Sequence, residues 1–174
     1  MTLSEKLART IRDVPDFPKQ GIVFKDITTV LGDPELSKEV SDGFYKQWSS
    51  QRVEGVVGIE SRGFIYGLQL AQQLGVPFIP VRKAGKLPFD TIKHAYDLEY
   101  GSAEIEIHTD AIQPGQRILV HDDLLATGGT ARAAADLIQK IGGEVIGYSF
   151  LVELSFLAGA KKLNGTPVHS LVTF

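Results

Sequence analysis

The chain contains no cysteine. Disulfides, thiol chemistry and cysteine-ligated zinc are therefore excluded, and a cytoplasmic location fits. Long apolar runs are missing too. No stretch approaches the ~20 residues that cross a bilayer as a helix, so no membrane association is expected. The opening residues, MTLSEKLARTI, carry charges where a signal peptide has its apolar centre. An excess of basic charge is also absent. Lys and Arg total 18 against 21 Asp and Glu, a net charge of -3, which argues against a general nucleic-acid binder. An anionic substrate would need a local basic patch. Repeats and Pro/Ser-rich linkers are lacking, and the histidines at 94, 108, 121 and 169 do not have metal-ligand spacing.

What is present is ordinary for a globule: 43% hydrophobic and 22% charged residues over 174 positions. That length suits one domain burying about 70% of its unfolded surface; two independent domains would be cramped. Leu3, Leu7 and Ile11 step by four and predict a short N-terminal helix. The Pro/Gly segment 14–21 predicts a loop, and residues 22–27 a short extended piece. Leu36, Val40, Phe44 and Trp48 place a core-facing stripe on a helix that starts near Pro34. Residues 53–59, 63–74 and 76–81 read as strand, helix and strand. Residues 82–95 read as a basic Gly/Pro loop, and 96–100 with 103–108 as an antiparallel ribbon split by Gly101 and Ser102. Strands over 144–152 and 168–173 finish the chain. The alternation implies an α/β fold, a parallel sheet flanked by helices with right-handed crossovers. The ribbon is the part foreign to a plain doubly wound sheet.

The most informative stretch is 117–134, RILVHDDLLATGGTARAA. An apolar strand, Ile118-Leu119-Val120, leads to Asp122 and Asp123. The small-residue loop Ala126-Thr127-Gly128-Gly129-Thr130 then opens an alanine-rich helix over 131–141. A strand feeding such a turn aims backbone N–H groups at one point, and the helix dipole adds positive charge there, so a phosphate can bind. The aspartates fall where strand ends meet ligands in open parallel sheets. For both to face one ligand, the turn should begin at Asp122, because neighbours in an extended strand alternate faces. A Gly-Gly turn or an Asp pair alone is commonly no more than a tight connection or a solvated strand end; together they suit a phosphorylated sugar. The loop is neither a Walker A sequence nor a G-x-G-x-x-G fingerprint. Ser61-Arg62-Gly63 ends a predicted strand at the same sheet edge and offers a second anion site. Arg82-Lys83-Ala84-Gly85-Lys86 follows another strand, with enough positive charge to balance a pyrophosphate.

These segments resemble a known family. The Asp motif is similar to the 5-phosphoribosyl-1-diphosphate (PRPP) motif of type I phosphoribosyltransferases. DFPKQGIVFKDIT (16–28), ESRGF (60–64), RKAGKLP (82–88), YDLEYG (96–101), DDLLATGGT (122–130) and LVEL (151–154), in that order, resemble the adenine phosphoribosyltransferase family. The resemblance implies one domain over 1–174, with an N-terminal base-binding hood over 1–33 and a flexible catalytic loop and ribbon over 82–108. It implies that Ala126, Thr127, Gly128, Gly129 and Thr130 hold the 5'-phosphate and that Asp122 and Asp123 face the ribose hydroxyls. Ser61, Arg62, Arg82 and Lys86 would meet the pyrophosphate. Val23, Phe24 and Lys25 would line adenine, with Leu125, Glu153 and Leu154 nearby. Glu99 and Tyr100 would lie on the closing loop, Glu99 either handling a proton of the base or anchoring the loop. Mg²⁺ would arrive on the diphosphate rather than at a protein metal site, and a homodimer is implied.

The sequence departs from the family pattern at Gln20 for Pro, Lys25 for Arg, His121 for an apolar residue and Ala160 for Arg. At residue 25 a planar five-donor fork gives way to a point charge. His121 is expected to point into the sheet's packing and not to act in catalysis. The reaction implied is transfer of the phosphoribosyl group to adenine with inversion at the anomeric carbon, yielding AMP and diphosphate. Phosphoribosyltransferases acting on other bases would differ in the 16–28 loop. A PRPP-sensing regulator would need a DNA-binding segment, for which the stretch before the base loop is too short.

Overall fold

The computed structural model describes residues 1–97 and 101–174. The expectations for Glu99 and Tyr100 therefore lie outside the described residues. The chain runs through α1 (Leu3–Thr10), β1 (Arg12–Pro15), β2 (Val23–Asp26), α2 (Thr28–Leu31), α3 (Pro34–Trp48) and β3 (Gly55–Ile59). It continues through α4 (Gly63–Leu74), β4 (Phe78–Lys83), β5 (Thr91–Asp97) and β6 (Ser102–His108). It ends with β7 (Arg117–Leu125), α5 (Gly129–Lys140), β8 (Glu144–Glu153), two 3-10 turns (Ser155–Leu157 and Gly159–Leu163) and β9 (Val168–Thr173). No helix among the described residues is long and apolar enough to cross a membrane.

Seven strands form the main sheet in the order β5-β6-β4-β3-β7-β8-β9. The block from β4 to β9 is parallel, whereas β6 joins β4 antiparallel and carries β5 at the edge. The strand GVVGI of β3 is buried throughout, as befits the centre of a sheet covered on both faces. Val57 packs with Val120, Phe150 and the α5 residues Ala134, Leu137 and Ile138. Its neighbour Val56 packs on the opposite face with Phe44, Trp48, Tyr66 and Leu70 from α3 and α4. The stripe Leu36, Val40, Phe44 and Trp48 is buried, as its spacing predicts.

Two loop expectations are corrected. Residues 14–21 are not all loop, because Arg12–Pro15 pairs antiparallel with Val23–Asp26 to make a small hood sheet. Residues 82–95 are not one loop either: β4 runs to Lys83 and β5 starts at Thr91. Turn-forming residues masked both strands, whose pairing partners lie elsewhere in the chain.

His121 is wholly buried, its ring edge-on to Phe44 at 4.9 Å between centroids. Neither ring nitrogen has a hydrogen-bond partner. Burial pushes its pKa down to about 3 from 6.5, so it is neutral in the folded protein. In the unfolded chain it takes up a proton below pH 6.5. Stability from this group is therefore whole above pH 6.5 and falls by about 1.4 kcal/mol per pH unit down towards pH 3. His169, also pushed down by burial, acts in the same sense. His121→Val should stabilise the protein against urea at pH 5 by about 2 kcal/mol more than at pH 7.5. Equal gains at the two pH values would mean that the imidazole is not held neutral.

Candidate active site

The site lies where the sheet reverses direction. From β3 the chain steps to β4 on one side and later returns to β7 on the other, leaving a crevice at the C-terminal strand ends. The segments that leave these strands are Glu60-Ser61-Arg62 after β3, Lys83 at the end of β4 and the Asp pair near the end of β7.

Two helices start here, and like α2 they lack a side-chain cap. Helix α1 is capped by Thr2 and Glu5, and α3 by Asp33. Neither α4, entered from Arg62, nor α5, entered from Gly128, has a side-chain cap. Their first-turn N–H groups are thus left for an external anion, with the positive ends of both dipoles behind them. Gly63 permits this closeness on the α4 side, since a Cβ there would lie 2.8 Å from Asp122 Oδ1.

The 126–130 loop is shaped by backbone packed on backbone. Gly128 has φ +80°, and a Cβ on it would lie 2.4 Å from the Gly159 carbonyl oxygen. A Cβ on Gly159 would lie 2.2 Å from the Ala126 carbonyl oxygen. The sequence singled out Gly128 and Gly129 equally; at Gly129 the nearest atom to a Cβ is 3.6 Å away, ordinary contact. Gly159, in the late 3-10 turn, forms the back wall and was missed. Its only signal was a glycine beside the departure at Ala160.

The turn expected at Asp122 does not occur there. Strand β7 stays extended through Leu125, yet Asp122 and Asp123 line one cavity of about 320 Å³ with Ser61, Arg62 and Lys83. Asp122 reaches it by folding back, its Oδ1 accepting the N–H of Asp123 at 2.8 Å. Asp123, almost fully buried, accepts a hydrogen bond from Arg62 Nε. Burial, together with the charge of Asp123, raises the pKa of Asp122. Burial opposes the charge on Arg62, but the Asp123 carboxylate outweighs it and holds the guanidinium pKa up.

Three cavities adjoin through shared walls. The first, just described, shares Asp122 and Thr130 with a small cradle of about 80 Å³ formed by residues 124–131. That cradle shares Leu124, Ala126 and Thr127 with a more apolar cavity of about 450 Å³ under the hood, where Val23, Phe24, Lys25 and Leu154 lie. Arg62 sits 5.3 Å above the Phe24 ring and so touches the partition between the outer two. A cation over an aromatic face is attracted to it.

Other expected residues fall as follows. Arg82 donates to Glu60 at 3.2 and 3.0 Å and to the Lys86 carbonyl at 3.2 Å, so its guanidinium grips the strand end. Lys83, one of the charges of the basic 82–86 segment, lines the first cavity. Leu125 is core and cradle, and Leu124 takes the place beside the apolar cavity. Glu153 accepts from Ser170 Oγ at 3.0 Å. Lys25 pairs with Asp13 at 2.6 Å and lies 3.8 Å over the Phe174 ring. Among the described residues no group of three His, Cys, Asp or Glu side chains could hold a metal ion. Asp122 and Asp123 are an all-oxygen pair that suits a hard cation whose remaining ligands come from a diphosphate and water.

A family model, the phosphoribosyl transferase domain, matches residues 35–164. An adenine phosphoribosyltransferase of Anaeromyxobacter dehalogenans strain 2CP-C is 60% identical over 94% of this chain and 95% of its own. The crystal structure of adenine phosphoribosyltransferase from Rhodothermus marinus superposes with a TM-score of 0.93 at 51% identity, covering 99% of this chain and 98% of that one. The Saccharomyces cerevisiae adenine phosphoribosyltransferase, complexed with an imino-altritol bisphosphate and adenine, superposes at 0.91 with 40% identity, covering 97% and 98%.

Proposed function

The chain belongs to the adenine phosphoribosyltransferase family, and from that membership we infer that it transfers the 5-phosphoribosyl group of PRPP to adenine. AMP and diphosphate are the products, a step of purine salvage. The observation that carries the reading is the row of three adjoining cavities: charged, cradle-shaped and apolar. Their order matches diphosphate, 5'-phosphate and base around one sugar.

The cradle from Ala126 to Thr130 would take the 5'-phosphate on uncapped N–H groups. Asp122 and Asp123 would accept from the ribose hydroxyls. Ser61, Arg62, Lys83 and Lys86 would face the diphosphate, with Arg82 bracing that wall through Glu60. Phe24 would stack on adenine, and the backbone of Val23 and Lys25 would read its edge. As the base nitrogen bonds to the anomeric carbon, the bond to diphosphate breaks and positive charge grows on the sugar. The carboxylates complement that charge, and the basic wall stabilises the leaving group. The proton leaving the base would pass to Glu99 or to water. Mg²⁺, carried in on the diphosphate, would supply charge neutralisation. The protein would act as a single-domain cytoplasmic enzyme and a homodimer.

Diphosphate release measured with PRPP and a panel of bases tests the reading. Adenine should turn over at least tenfold faster than hypoxanthine, guanine or xanthine. Faster turnover of any of these would overturn the assignment.

A further inference from the structure

Glu106 is a charged residue with about 1% of its surface exposed. It lies on β6 between Ile105 and Ile107, both of which pack into the core. Glu106 therefore points to the other face, where it meets the loop after β4 and the start of β5. Its Oε1 accepts the N–H groups of Lys86 and Leu87, each at 2.8 Å, and its Oε2 accepts the Thr91 hydroxyl at 3.3 Å. Burial pushes its carboxyl up, but the amides of Leu87, Gly85 and Lys86 outweigh burial and hold it below the ordinary glutamate value. It is thus ionised at neutral pH.

A buried carboxylate is costly unless it is fully hydrogen-bonded, and an apolar residue would fill a sheet position at less cost. Here two of the three hydrogen bonds go to one short turn, and the third comes from Thr91 at the start of β5. That turn carries exposed Lys86, whose amide is held by Glu106 and whose carbonyl is held by Arg82. Arg82 in turn is the register neighbour of Glu106 across β4 and β6. Both peptide groups flanking the Lys86 side chain are fixed from below. The backbone that carries the ammonium is left with little freedom, and its charge acts on Glu60, which lines the charged cavity.

We propose that Glu106 is a positioning residue that holds the 85–87 turn and so presents Lys86 to the diphosphate. This rests on the transferase reading above. The test is a double-mutant cycle of Glu106→Ala with Lys86→Ala, read by calorimetric binding of Mg-pyrophosphate and, separately, of AMP. Glu106→Ala should weaken pyrophosphate binding about tenfold in the otherwise wild-type protein and less than threefold when Lys86 is already Ala. AMP, which needs the cradle and base pocket, should bind within twofold of wild type. Equal losses in both Lys86 backgrounds, or a parallel loss of AMP binding, would overturn the proposal. If Glu106→Ala does not fold, Glu106→Gln decides the matter. It keeps one acceptor oxygen but loses the charge, and should weaken pyrophosphate binding at least threefold; unchanged binding would reject the role. Failure of wild-type protein to make AMP from adenine and PRPP would count against the transferase reading instead.

Discussion

Gly159→Ala should all but abolish use of PRPP, raising its KM or Kd at least about a hundredfold. The methyl would lie 2.2 Å from the Ala126 carbonyl oxygen and 3.0 Å from the Gly128 amide nitrogen. Both are backbone atoms, so no rotamer change relieves the clash. Either the 3-10 turn or the 126–130 loop must move. The turn is held by Leu163, buried in the α5-side core, so the loop is the part that gives. A shift of about 1 Å at a phosphate cradle is enough for a hundredfold loss, because the N–H groups no longer converge. Overpacking of this kind costs about 1–3 kcal/mol, so the protein should remain folded. Adenine binding measured alone should change much less, since only Ala126 of the clashing residues also lines the apolar cavity. Gly165→Ala is the control. That glycine has φ +73° but nothing within 4 Å of a Cβ, so it adds backbone strain without touching the loop. A Gly159→Ala protein with the wild-type KM for PRPP would show that the back wall does not shape the cradle.

The second large effect is expected at the acidic pair. Asp123→Ala should lower kcat/KM at least about a hundredfold. By the proposed function it removes an acceptor for the sugar; it also removes the partner that orients Arg62, whose guanidinium reaches from the charged cavity to the Phe24 ring. Each charge-assisted hydrogen bond is worth about 1.5–3 kcal/mol, and about 1.4 kcal/mol is one decade of rate. Asp123→Asn keeps the shape and should cost about tenfold or more. Asp122→Asn should cost about tenfold as well, because Oδ1 can still accept the Asp123 amide while the charge facing the sugar is gone. Stability should fall by less than about 1 kcal/mol in the Asp123 variants, since the Arg62 side chain is 41% exposed and water can solvate it. Near-wild-type activity in both Asn variants, with normal folding, would remove the pair from the mechanism.

Much of this was written along the chain. The Asp-Asp and Gly-Gly segments sit next to each other in sequence, so strand end, loop and helix start could be read as one local unit. The apolar stripe of α3, the α4 span and the last strand were legible for the same reason, because period and run length are local properties. His121 was also readable, since a residue preceding the pair on an apolar strand has to face the packing.

What a single local stretch cannot encode is which backbone lies against which. Gly159 meets Ala126 and Gly128, and Glu106 meets Lys86 and Leu87, only after the sheet brings distant segments together. The same holds for β1, whose Pro-bearing sequence suits a turn until β2 supplies its partner. The Asp pair shows the division most plainly. Sequence determined that two carboxylates would stand at a strand end beside a glycine-bearing loop, because residue type and order settle that much. Only the tertiary structure decided how both could serve one cavity from a strand that stays extended. Asp122 folds back onto its own chain while Arg62, carried in by the start of α4, meets Asp123. Alternation along a strand is a rule about Cβ directions. Where a carboxylate ends up depends on the amides and cations that other segments bring to it.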